Sequence, residues 1–271
     1  MSEFLTNFAH FMSQGLFTAL MLFGLFGGLE LFMPCNPGQP RSGKALLANA
    51  GYFFIVPLFS RLVQSFYLIV GASILFYGSS PETIRDFLIH GYGPLAPLPL
   101  WLKGAMAFIL SDIILYWIHR GFHRREMWKY HAIHHSSKHV EWHSTYRFHP
   151  VNIWLSFTLV DAVMVLLGLS MESIALFSTF NLLYSAMVHA NLKWTFGPFK
   201  YVFASPVFHR WHHTMQEEGM DKNFAPTFPL LDIMFGTFYM PEGRVPEHFG
   251  VAGSDIPESF LGQMIWPFKT R

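Results

Sequence analysis

The stretch that decides the fold reads Leu110-Ser-Asp112-Ile-Ile-Leu-Tyr116-Trp-Ile-His119-Arg-Gly-Phe-His123. It closes an apolar segment running from about Leu98 to Ile118 that is interrupted only by Lys103 and Asp112. About 20 mostly apolar residues are enough to cross a bilayer as a helix. The segment therefore predicts a membrane helix that delivers a His-x-x-x-His pair to its far end. Upstream, two further segments predict spans, roughly Phe11–Met33 and Ala50–Phe76. Downstream, Ile153–Leu169 and Ile174–Val188 are joined by little more than Ser170-Met171-Glu172. That link predicts a helical hairpin with short arms, giving five spans, or four if the hairpin is buried. The expected fold is an all-α integral membrane protein of four to five transmembrane helices with a cytoplasmic, histidine-bearing helical cap.

Composition agrees. Of 271 residues only 13% are charged and 52% are apolar, with 30 phenylalanines. Charged residues make up about a quarter of an ordinary soluble protein, so this chain could not cover a soluble surface. The net charge of +1 leaves no basic field for nucleic acid, and the single cysteine, Cys35, excludes an internal disulfide framework or a thiolate cage. The N-terminus lacks the basic region and small-residue cleavage site of a secretory signal, so the first span is expected to be retained. Lys and Arg concentrate on the cytoplasmic side of membrane proteins. With the N-terminus outside, fifteen of the eighteen Lys and Arg fall inside: Arg41, Lys44, six from Arg120 to Arg147 and seven from Lys193 to Arg271. The expected topology is N-out and C-in. The absence of a KDEL-type or dilysine address in Phe268-Lys-Thr-Arg271 favours a bacterial inner membrane over the endoplasmic reticulum.

The chain has fifteen histidines, twelve of them between His119 and His213. They fall into a His-x-x-x-His pair, His119 and His123, and two His-x-x-His-His clusters, His131/His134/His135 and His209/His212/His213. Positions i, i+3 and i+4 share a helix face, so each cluster is expected to aim its rings at one point. Neutral imidazole suits iron, copper, zinc or nickel, and eight histidines exceed the needs of one ion, so two metals are the economical reading. His10, His90 and His248 stand alone and read as interface residues, and His139 and His143 as solvated loop residues. A metal transporter would place ligands near mid-membrane in broken helices or repeats, whereas these clusters follow the spans. A bis-His haem electron carrier needs facing pairs within spans, approached only by His119 and His189. A zinc hydrolase needs about three ligands and would strand five of the histidines.

The triple pattern resembles the fatty acid hydroxylase/sterol desaturase superfamily of membrane di-iron enzymes. Asp112, Tyr116, Trp117, His119 and Arg120 are similar to its D…YWxHRxxH stretch, and Ser136 after His135 matches its HHS. Thr145–Pro150 resembles its RxHP segment, and His189-Ala-Asn191 its HxN. Asn223 through Asp232 and Phe235-Gly236-Thr237 to Pro241 is similar to its closing block, with Ala225 where many members carry glycine. The match spans Leu110–Pro241, about half the chain. It implies residues 1–109 as N-terminal membrane helices, 110–241 as the di-iron domain and 242–271 as a cytoplasmic tail.

By this resemblance His119, His123, His131, His134, His135, His209, His212 and His213 are metal ligands, and His189 matches a ninth. Asp112, seven residues before His119 on the same helix face, is expected to accept the spare ring N–H of a ligating histidine. His149 is a candidate for an equally indirect role, a ligand or a substrate contact. Arg120, Arg124 and Arg125 read as ordinary inner-face charge. Two non-haem irons with O2 as co-substrate would remove hydrogen from an unactivated C–H bond of a membrane lipid, fatty acyl, sterol or related, leaving an alcohol or an alkene. Acid–base groups cannot do this, so the cofactor carries the hard step. The chain shows no GxGxxG fingerprint, no thiolate set, and roughly 30 residues after Pro241. Electrons are therefore expected from a separate ferredoxin or cytochrome b5-type donor fed by NAD(P)H.

Overall fold

The computed structural model describes residues 2–40, 43–176 and 178–269. Arg41 and Arg271, counted above for topology, lie outside the described residues. Twelve α-helices appear among those residues and no strand. They are α1 Ser2–Leu22, α2 Gly28–Phe32, α3 Gly43–Leu75, α4 Pro81–His90, α5 Leu100–Phe122 and α6 Trp128–His135, then α7 Pro150–Leu166, α8 Met171–Leu176, α9 Ser178–His189, α10 Pro206–His212, α11 Leu230–Met234 and α12 Phe260–Lys269. Among the described residues three stretches are long and apolar enough to cross a membrane: Met12–Phe32, which passes from α1 through a π turn at Phe23–Gly27 into α2, then α3, then α5. Leu16, Phe17, Leu62, Ile69 and Ile74 point outward from these helices, more than half exposed, as lipid-facing side chains do. This is a helical membrane protein.

The downstream hairpin is shorter than a span. α7 has 17 residues, about 25 Å at 1.5 Å per residue, against a hydrocarbon core of about 30 Å. Its return is α8 and α9, on either side of residue 177. The turn between α7 and α8 needs Gly168, which has φ +77° and whose added Cβ would lie 2.2 Å from the Tyr92 carbonyl oxygen. Only glycine takes that conformation without steric cost.

α3 runs the other way from expectation in length. Its 33 residues would reach about 50 Å, more than a hydrocarbon core of about 30 Å, and its N-terminal half packs against α6 and α12. There Tyr52 and Val56 pack with Ile133 of α6 and with Phe260 and Met264 of α12. The residues after 242 accordingly do more than trail. Tyr52 donates a hydrogen bond to Gln263 Oε1 at 2.9 Å, and the Tyr52 and Phe260 rings meet edge to face at 4.9 Å.

Local sequence sets the short cap helices. Ser205 caps α10 by accepting the Phe208 N–H at 3.2 Å, with Pro206 in the first turn where its missing N–H costs nothing. Phe208 and Trp211 of α10 are fully buried against Val188, Ala204 and Met240. Burial of such side chains contributes roughly 1.5–3 kcal/mol each, which holds α10 in place and turns its histidines toward α6 and α9.

Candidate metal centre

The histidines arrive from four elements. α5 carries His119 in its last turn and is closed by His123, α6 carries His131, His134 and His135, α9 ends at His189, and α10 carries His209 and His212 and is closed by His213. They separate into two groups. In one, His119, His123, His131, His135 and His212 bring ligand nitrogens within 4.8 Å of one another; in the other, His134, His189, His209 and His213 do the same. Each His-x-x-His-His cluster is therefore divided, which corrects the expectation of one target per cluster. The reason is helical phase. Residues i and i+4 (131 and 135, or 209 and 213) aim one way, and the middle histidine, offset around the helix, serves the neighbouring group. All nine sequence candidates for ligation lie in these groups, and none of His10, His90, His139, His143, His149 or His248 does.

The outer ring nitrogens fix the tautomers. His119 Nδ1 faces the Phe224 carbonyl at 2.7 Å, His134 Nδ1 the Arg147 carbonyl at 3.2 Å, His189 Nδ1 the Ser185 carbonyl at 2.7 Å and His212 Nδ1 the Lys222 carbonyl at 2.8 Å. His131 Nδ1 meets Asn152 Oδ1 at 2.8 Å and His123 Nδ1 meets Asp221 Oδ1 at 3.0 Å. An acceptor oxygen requires Nδ1 to donate, so in the neutral ring Nε2 carries a lone pair. Yet His119 Nε2 lies 3.0 Å from His131 Nε2, and His134 Nε2 lies 3.1 Å from His189 Nε2. His189, His209 and His213 continue the second group through Nε2–Nε2 separations of 3.0 and 3.1 Å.

Two lone pairs at that distance repel unless a cation lies between them. With metal–imidazole bonds of about 2.1 Å, adjacent nitrogens at right angles are about 3.0 Å apart, the spacing seen here. The Nε2 atoms of His123, His135 and His212 are buried without a hydrogen-bond partner, as ligand atoms would be. The donor set thus fits metal ions in both groups.

Burial completes the preparation. His131, His134, His135, His209, His212 and His213 are at most 6% exposed. Burial, reinforced by their mutual proximity, pushes these rings well below the ordinary imidazole pKa, and burial likewise lowers His123. The shift favours the neutral ring, which is the ligating form.

Asp112 does not serve a histidine. Its carboxylate accepts the Phe228 N–H at 3.1 Å and bonds Thr227, pinning the 227–228 backbone to α5. The correction has a steric cause: Asp112 lies two turns below the ring of His119, and a short side chain spans no such distance, so a backbone carbonyl takes the role. His149 caps α7 by accepting the Val151 N–H and faces the Met264 carbonyl at 3.2 Å, tying α12 to the bundle. His143 is not a solvated loop residue. It bridges Asn49 at 2.6 Å and Glu141 at 3.1 Å, and Asn49 in turn accepts from Arg147 Nε at 2.8 Å. His139 is half-buried. Arg120 donates to Tyr116 Oη at 3.2 Å and lies over the Trp117 ring, while Arg124 and Arg125 are exposed. The partners of the outer nitrogens were the residues the sequence concealed, because four of the six are main-chain carbonyls. Asn152, a polar residue in the first turn of an apolar helix, carried the one visible signal.

The fatty acid hydroxylase family profile matches residues 104–237, about half the chain, and that span contains all nine converging histidines. The chain belongs to the fatty acid hydroxylase family. Among its relatives, the ornithine lipid hydroxylase OlsE of Rhizobium tropici is 25% identical over 174 residues, covering 64% of this chain and 52% of that protein. Alkylglycerol monooxygenase of Danio rerio is 32% identical over 141 residues, covering 52% and 31%. The very-long-chain aldehyde decarbonylase GL1-11 of Oryza sativa subsp. indica is 26% identical over 159 residues, covering 56% and 59%. The chain spans about half the length of the first of these relatives and about a third of the second. No solved structure matches it. Within the family's span, the fatty acid hydroxylase signatures quoted from the sequence become contacts: His189 of the HxN motif shares a group with His134, and Asn191 donates its N–H to Glu30 Oε1 at 2.8 Å.

Proposed function

We propose that this chain is an O2-dependent, non-haem di-iron oxidoreductase that hydroxylates or desaturates a C–H bond of a membrane lipid. The observation that carries the reading is the pair of all-imidazole groups whose inward lone pairs face each other at 3.0–3.1 Å. Bound iron would supply the activation of O2 and the oxidation of an unactivated C–H bond. The nine histidines, His119, His123, His131, His135 and His212 in one group and His134, His189, His209 and His213 in the other, would hold it. The chain's own part is placement. Its outer acceptors lock the tautomer and direction of six of the nine rings, and burial favours the neutral ring and excludes bulk water. Groups of five and four nitrogens fall short of six-coordination, which leaves room for small exogenous ligands.

The substrate follows from the setting. A group anchored where α5 and α9 end is within reach of a lipid whose chain lies among apolar helices. The relatives' printed names, a lipid hydroxylase and an alkylglycerol monooxygenase, support the same class. Electrons would come from a separate ferredoxin or cytochrome b5-type protein fed by NAD(P)H, and the clustering of Lys and Arg supports an N-out, C-in topology. A metal transporter fits less well, because the histidines gather into buried groups at helix ends instead of interrupting the helices.

The test is a comparison of total lipid extracts from cells with and without the protein by mass spectrometry. A lipid gaining one oxygen atom, or losing two hydrogens, identifies reaction and lipid class together. Unchanged extracts from cells that supply O2 and a reductant, with purified protein turning over with none of their lipids, would refute the proposal.

A further inference from the structure

One short segment serves three of the five rings of one group. Asp221 meets His123 through its carboxylate, the Lys222 carbonyl faces His212, and the Phe224 carbonyl faces His119, at 3.0, 2.8 and 2.7 Å. Here Asp221 and Asn223 adopt φ +53° and +58°, a conformation that Asp and Asn tolerate better than other non-glycine residues. The double reversal turns all three acceptors inward.

The segment is also fastened from behind. Asn223 Nδ2 donates to the Phe208 and Tyr239 carbonyls at 2.8 and 2.7 Å, and its Oδ1 accepts the Tyr239 N–H at 2.7 Å. Buried Asp232 accepts the Phe224 and Ala225 N–H groups at 2.8 and 2.9 Å and the Thr237 hydroxyl at 2.6 Å. No residue of 221–224 accepts from a ring of the second group, where His134 and His189 face the Arg147 and Ser185 carbonyls.

From this arrangement we infer that residues 221–224 are a dedicated positioning segment for the five-histidine group, making its metal affinity separable from that of the four-histidine group. The inference rests on the di-iron reading above. Asp221 is its outermost member. Its side chain is 64% exposed while His123 is 5% exposed, and the five other outer acceptors come from buried or half-buried residues. The carboxylate lies at the margin of the cluster, so replacing it leaves the buried fastening intact.

The experiment is an anaerobic iron titration of the full chain against a competing chelator, with Mössbauer spectra of the same samples. Loss of such an outer hydrogen bond typically weakens metal binding 10–100-fold. Asp221→Ala should weaken one of the two irons by roughly that factor and alter one of two iron signals, leaving the other iron and the helical content unchanged. Asp221→Asn keeps an acceptor oxygen and should stay near the wild type. Equal weakening of both irons, no weakening of either, or an equal loss in Asp221→Asn would each overturn the inference. A wild-type protein that binds no pair of irons would overturn the di-iron reading itself, and that outcome is recognisable before any variant is made.

Discussion

At the scale of single residues, the site depends on two kinds of side chain that differ in how visible they are. The ligating type is histidine, and its spacing announces it. The holding type is mostly a main-chain carbonyl, which no sequence pattern reveals. His134 and His212 lie outside the three long apolar helices, so their replacement by alanine should remove iron and activity while membrane insertion persists. His10→Ala should do neither, since that ring is exposed and bonds only Gln14 among the described contacts. Iron analysis of membrane-extracted protein distinguishes these outcomes. Asn152→Ala removes the acceptor of His131 Nδ1 and should cost roughly 10–100-fold in iron affinity. Asp112→Asn should leave iron content near normal, because Asp112 holds the 227–228 backbone.

The same residues set a pH dependence. Folded imidazoles held below their ordinary value of 6.5 bind fewer protons than the unfolded chain does. Stability of the metal-free protein should therefore be constant above about pH 6.5 and fall as the pH drops through it, where the unfolded histidines gain protons the folded ones refuse. Metal retention should fall over the same range, since protonation competes with ligation. Denaturation midpoints of metal-free protein between pH 7.5 and 5.5 check the sign; a midpoint that rises on acidification contradicts it.

At the scale of elements, apolar length located α5 and the first two long helices, because hydrocarbon thickness fixes how many residues a span needs. It placed the start of α3 at Ala50, whereas the helix begins at Gly43. Hydropathy sees the segment inside the bilayer, and the first turns of α3 are held by Tyr52, Asn49 and Val56 in contacts with distant segments. The hairpin was legible as short, although its turn was not; the glycine at 168 matters because of the Tyr92 carbonyl, 76 residues earlier. Gly168→Ala should destabilise by at least about 1–2 kcal/mol for the left-handed backbone alone, with the contact at 2.2 Å adding to it. A thermal shift of the detergent-solubilised variant measures this. Helical phase explains the division of the two His-x-x-His-His clusters, and the pattern i, i+3, i+4 contains that information in principle. The sequence lacked the direction from which each neighbouring helix approaches.

At the scale of the whole molecule, the chain solves one problem: bringing nine imidazoles from separated stretches to one place beside an apolar bundle. α5 and α9 carry His119 and His189 to their ends, and the cap supplies the remaining seven from α6, α10 and the residues that close α5 and α10. The N-terminal helices take part in this as well, since Glu30 accepts the Trp142 and Asn191 N–H groups at 2.9 and 2.8 Å. Glu30→Ala should loosen both the Trp142 turn and the HxN motif, leaving two buried donors unpaired at roughly 1–3 kcal/mol each.

The most direct measurement is the metal content and X-ray absorption spectrum of the purified, iron-reconstituted chain. The account predicts two non-haem irons per chain with nitrogen and oxygen neighbours at about 2.1 Å, no sulfur neighbour and no haem absorption. A single metal per chain, a sulfur-containing coordination shell, or a Soret band would contradict it.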